Sequence, residues 1–183
     1  MTAPDGQALW LDDGRRLLLR ALTVEDEEAL RSAFAGADPR VLRSRFGGGS
    51  PPFAAIALRL HQLDGVGRYA VAAFDDAGDV VGVAEYVRTD PRTSAEVAVV
   101  VAPDWQRHGV GAALLRRLAD HAVGAGITSA TALVSGSNGQ VLELLDELPL
   151  PHSVSYDHGS GTVRAELSRE PLPHVARRGR VGT

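Results

Sequence analysis

The chain has 183 residues, 44% of them hydrophobic and 23% charged, with a formal net charge of −4 and no cysteine. The length suits one ordinary domain and the composition a folded globular protein. Disulfides, thiolate metal sites and a cysteine nucleophile are excluded, and an acidic balance argues against non-specific nucleic-acid binding, which needs a cationic surface.

Residues 1–14 read as a loose lead-in. Arg15–Leu22 is a short apolar run with basic flanks, the first expected strand. Thr23-Val24-Glu25-Asp26 resembles a capping box with acids crowding the first turn. The helix that follows carries Ala29, Leu30, Ala33 and Phe34 at helical spacing. Pro39–Phe46 predicts another helical turn. Gly47-Gly48-Gly49-Ser50-Pro51-Pro52 breaks it and lacks the Gly-Lys-Ser/Thr ending of a phosphate loop. Phe53–Leu63 resumes a helical pattern.

The centre is rich in strand signals. Arg68–Phe74 and Val80–Arg88 flank the turn Asp75-Asp76-Ala77-Gly78 and predict a hairpin. Ala95–Ala102 is dense in valine, which predicts a strand buried on both faces. Gly109–Val123 then reads as an amphipathic helix, with Leu114, Leu115, Leu118, Ala119 and Ala122 in one stripe. Ile127–Val134 is a strand, Val141–Leu148 a helix, and His152–Tyr156 and Thr162–Leu167 are two closing strands. Residues 169–183, rich in Pro, Arg and Gly, read as a disordered basic tail. The fold class is therefore α/β, a mixed and mainly antiparallel sheet flanked by helices, with one β-α-β crossover.

The stretch with chemical content runs from Ala95 to Ala112, AEVAVVVAPDWQRHGVGA. A valine strand enters a tight loop that opens directly onto a helix. Gly109 and Gly111 let the backbone curl closely around a ligand, and the exposed amides and the positive end of the helix dipole face an anion together. Arg107 and His108 add charge or hydrogen bonds there.

This loop resembles the diphosphate loop of the GNAT superfamily, the Gcn5-related N-acetyltransferases. The resemblance covers residues 15–168 and looks closest to the bacterial protein-lysine acetyltransferase branch. It implies acetyl-CoA as co-substrate, with the main chain of Val99, Val100 and Val101 pairing with the pantetheine arm. The same resemblance assigns the pyrophosphate to the segment Gln106, Arg107, His108, Gly109, Val110, Gly111 and Ala112, and a cofactor contact to Asn138. It makes Glu96 the general base that takes the proton of the attacking amine; Glu85, a carboxylate on the preceding strand, is the reserve candidate apart from that resemblance. The family's tyrosine acid has no counterpart in Gly139–Leu148.

The expected acceptor is a protein lysine; a small amine is the alternative, and a non-catalytic acetyl-CoA-binding module a third. All 19 basic residues are arginine, as a GC-rich coding sequence would give, so the chain offers no lysine of its own to acylate. The six histidines show no metal-ligand spacing, so no metal is expected. Without an apolar run of membrane length or a leader pattern, the expected setting is cytoplasmic, with no membrane or nucleic-acid partner, as monomer or homodimer.

Overall fold

The structure is a computed structural model and describes residues 6–35, 60–89, 92–135, 143–144, 147–148, 150–157 and 160–167. Its frame is an eight-stranded sheet in the order β1-β2-β3-β4-β5-β6-β8-β7. The strands are β1 (Gln7–Trp10), β2 (Arg16–Ala21), β3 (Arg68–Phe74), β4 (Val80–Thr89), β5 (Ser94–Val101), β6 (Ser129–Ser135), β7 (His152–Asp157) and β8 (Ser160–Glu166). Two helices are described, α1 (Glu27–Ala35) and α2 (Val110–Gly124). All strand pairs are antiparallel except β5 with β6, which are parallel because α2 carries the chain across between them.

Side-chain alternation sorts the residues onto two faces. On one face Leu17, Leu19, Val71, Tyr86, Leu114 and Leu118 pack between the sheet and α2. On the other, Leu22, Leu30, Ala70, Ala72 and Val83 pack under α1. The entry to α1 is fixed by a charge fork: Arg20 Nη1 and Nη2 donate to the Asp26 carboxylate at 2.8 and 2.7 Å, and Thr23 N donates to it at 2.9 Å. Burial alone would raise the Asp26 pKa, but these donors outweigh it and hold the carboxyl below its ordinary value.

The structure corrects two expectations. Residues 7–10, read as part of a loose lead-in, form edge strand β1. Its turn, with Gly14 at φ 85°, is closed by Leu11 N donating to Arg15 O at 2.9 Å and Gly14 N to Leu11 O at 3.0 Å. The signal was Asp13-Gly14 between two apolar runs, a hairpin-turn pair. Valine-rich β5 is not buried on both faces either. Val97, Val99, Val100 and Val101 are only partly buried, because β6 pairs with β5 only from Ser94–Glu96 to Ser129–Thr131 and then leaves it. The expected helices over 39–46 and 53–63 and the basic tail lie outside the described residues, apart from a 3₁₀ turn at Leu60–Gln62. Most of the expected 141–148 helix lies outside them as well.

Candidate active site

The site starts where β5 ends. Pro103–Trp105 makes one 3₁₀ turn, and the Gln106 side-chain Nε2 reaches back to donate to Val101 O at 2.9 Å, pinning the loop to the strand. Arg107 then takes a left-handed backbone at φ 62°, the one non-glycine among the described residues to do so, and Gly109 follows at φ 81° as the N-cap of α2. Such a conformation costs an arginine about 1–3 kcal/mol and persists only where surroundings impose it. Gly109 O accepts the first helical bond, from Ala113 N at 3.0 Å. The amides of Val110, Gly111 and Ala112 therefore sit in a first turn that has no intrahelical acceptor for them. A Cβ on Gly111 would meet the Leu144 methyls at 3.4 Å, and one on Gly109 would meet nothing within 4 Å. Alternating left-handed residues beside a run of unspent amides form a concave nest, and that arrangement fits an anionic diphosphate.

The edge of β5 supplies the next part. Ala102 N donates to Val81 O at 2.8 Å, and partners alternate along an antiparallel ladder. Ala98 and Val100 therefore turn their main chain to β4, whereas Val97, Val99 and Val101 turn theirs to the gap that β6 leaves. Of the three valines expected to pair with a ligand, Val99 and Val101 present polar main chain to the gap; Val100 is committed to Val83. The Val101 carbonyl is already held by Gln106.

A cavity of about 580 Å³ opens at the splay. Glu96 and Glu85 both line it, on the α1 face of the sheet. Glu96 stands opposite Val87 and Thr131; it is exposed, and among the described residues no hydrogen bond or ion pair is formed by its carboxylate. Glu85 is the reverse. It is 6% exposed and lies 4.0 Å from Arg68 Nη1, so this carboxylate serves the packing of β3 on β4. The two are diagonal neighbours, since Glu85 faces Ala98. Asn138 lies outside the described residues.

Sequence reasoning missed the bracing of the loop by the β1–β2 turn. The Arg15 guanidinium sits 4.0 Å over the Trp105 ring, donates to Asp104 O at 3.4 Å and pairs with Asp13 at 2.7 Å. Asp13 in turn lies 3.4 Å from His108 Nδ1, and its hydrogen bonds from Arg15 hold its carboxyl below the ordinary value. His108 thus reaches a protein carboxylate at one edge of the nest. No three metal-ligating side chains cluster among the described residues, and no described helix is long and apolar enough to cross a membrane.

Known proteins share this fold. The model of the acetyltransferase (GNAT) family matches residues 39–148. No curated protein matches the chain in sequence. Among solved structures, the GNAT domain of S. lividans PAT is similar at 26% identity and a TM-score of 0.77, over 91% of this chain and 100% of that one. A cAMP-binding acyltransferase from Mycobacterium smegmatis is similar at 21% identity and a TM-score of 0.65, over 93% of this chain; the chain spans 50% of that protein. A GNAT superfamily phosphinothricin acetyltransferase from Sinorhizobium meliloti, solved in complex with AcCoA, is similar at 22% identity and a TM-score of 0.61, over 88% of this chain and 96% of that one. With the family model covering more than half of the sequence, the chain belongs to the acetyltransferase (GNAT) family and is an N-acetyltransferase that uses acetyl-CoA.

Proposed function

We propose that this enzyme acetylates lysine ε-amines of proteins, with Glu96 as the general base. The observation that carries the reading is the Glu96 carboxylate, exposed where the gap between β5 and β6 begins to open and meeting no donor among the described residues. A side chain in that position is accessible to an amine arriving from outside, and no neighbour among the described residues competes for its charge. When bound, acetyl-CoA supplies an activated acetyl thioester. The nest from Arg107 to Ala112 holds its diphosphate through main-chain amides, and Val99 and Val101 hold its arm along the β5 edge.

The acceptor must attack as a neutral amine, and a free lysine with pKa about 10.4 is neutral in only roughly one molecule in a few thousand at pH 7. Glu96 takes the proton as the nitrogen forms its bond to the acyl carbon. The Val99 amide, turned into the gap, donates to the oxygen on which charge develops. The carbon–sulfur bond breaks, and solvent protonates the departing thiolate. No side chain is assigned as the acid.

A small-molecule amine is the second reading, favoured by the likeness to an enzyme named for phosphinothricin. Labelled acetyl-CoA offered with proteins, lysine peptides and small amines separates the two. Label on proteins and peptides supports the lysine reading; label on small amines alone overturns it. Glu96→Gln is expected to lower kcat by about 10²- to 10⁴-fold at neutral pH, with the loss shrinking as pH rises toward the amine's own pKa. Full activity in that variant at pH 7 would remove Glu96 from its role.

A further inference from the structure

The cavity is larger than its chemistry requires. At about 580 Å³ it lies within the range that encloses whole drug-sized ligands, and an acetyl group with the sulfur end of the donor arm occupies only part of that. Its walls divide by face. Glu85, Glu96, Thr131 and Thr162 belong to the α1 face. On the α2 face the walls are Leu115, Leu118, Ala119 and Ala122 from the helix, with Ala130 and Val163 from the strands opposite. Apart from Tyr86, every described wall on that side is apolar.

Position matters as much as lining. Among the described residues, neither the nest residues 107–112 nor Val101 lines the cavity; its first walls on β5 and α2 are Val99 and Leu115. It extends from there to Ala95 and Ala122, a run of about 10 Å along the helix. At that depth β5 and β6 have already closed at Ser94–Glu96. A donor arm lying from the nest along Val101 and Val99 therefore delivers its acyl carbon to the entrance of an apolar chamber that continues past it under α2.

We propose that this chamber receives the acyl chain of the donor, and that the enzyme takes straight-chain acyl-CoA thioesters longer than acetyl, about four to six carbons. The transfer is unchanged in its bonds: amine nitrogen to acyl carbon, sulfur leaving, proton to Glu96. The alanines at Ala119, Ala122, Ala130 and Ala132 leave the room that larger side chains would close. The inference rests on the donor placement proposed above and not on which amine accepts.

Calorimetric titration of the full chain with acetyl-, butyryl- and hexanoyl-CoA tests it without any acceptor. Burying a methylene is worth about fourfold in affinity, so butyryl-CoA is expected to bind roughly 15-fold tighter than acetyl-CoA. Ala119→Phe, which fills the chamber from the helix side, should abolish that gain and leave the acetyl-CoA Kd within about twofold; Ala132→Leu repeats the test from β6 should the first variant fail to fold. Equal or weaker binding of butyryl-CoA by the unaltered chain overturns the proposal, as does a gain that survives the filled chamber. Binding of acetyl-CoA without any chain-length effect leaves the donor site standing and removes only the chamber. Failure of acetyl-CoA itself to bind removes both.

Discussion

The Arg15 guanidinium covers the Trp105 ring at 4.0 Å, and through that contact a turn at the sheet's edge reaches the loop that forms the nest. The same arginine bonds to Asp104 O and to Asp13. Each contact is partly exposed and individually weak, since solvent screens exposed ion pairs and exposed cation–π contacts contribute about 0.5–1 kcal/mol. Together they set the corner from which Gln106 and Arg107 depart.

Arg15→Ala is therefore expected to weaken acetyl-CoA binding by about three- to tenfold while the KM of the acceptor stays put. Arg15→Lys, which keeps the cation over the ring, should recover part of the loss. Calorimetry with acetyl-CoA beside initial rates at saturating donor checks both. An equal rise in both Michaelis constants would mean that the turn supports the fold in general and not the loop.

The two glycines of the nest differ in what they permit. Gly109 needs its left-handed backbone, which costs an L-residue about 1–2 kcal/mol, whereas Gly111 is helical and a methyl there would only touch Leu144 and Val101 at 3.4 and 3.7 Å. Gly109→Ala should weaken acetyl-CoA binding about tenfold, and Gly111→Ala by less than about threefold. The reverse ranking in a titration would show that the nest is used differently.

Toward the C-terminal end of α2, His121 stacks on Tyr69 at 3.5 Å between centroids, and its Nδ1 lies 3.2 Å from the Tyr86 hydroxyl. Burial, helped by the nearby Arg117 charge, lowers the His121 pKa, and burial lifts Tyr69 and takes Tyr86 to about 12. All three rings are thus neutral at pH 7. In the unfolded chain His121 protonates near its ordinary 6.5, so unfolding takes up a proton as pH falls below that value. Stability is complete above about pH 6.5 and declines below it until the lower folded pKa is passed. Urea melts at pH 7.5 and 5.5 should show that decline, and His121→Phe should flatten it.

Much of this was legible in the chain itself. The hairpin Arg68–Phe74 with Val80–Thr89, the crossover helix and the closing strands follow from periodicity and turn residues, because those signals are local. The doubled glycine after a valine strand gave the nest for the same reason. What escaped detection depends on distant partners. That β6 leaves β5 after Thr131 cannot be read from the valines, which look the same whether paired or exposed to a cleft. That Glu85 is enclosed with Arg68 and Glu96 left open follows from register across three strands. Asp13 and Arg15 meet Trp105 and His108 some ninety residues on, and nothing in either segment names the other.

Among the described residues the two halves of the sheet share three ladder pairs, Ser94–Glu96 with Ser129–Thr131. In the donor placement proposed above the arm pairs along the open edge of β5, and a ligand that binds only the native form adds about 2.7 kcal/mol at a hundredfold excess over its Kd. On that placement, the folded state gains that increment when acyl-CoA is plentiful and loses it when acyl-CoA is scarce.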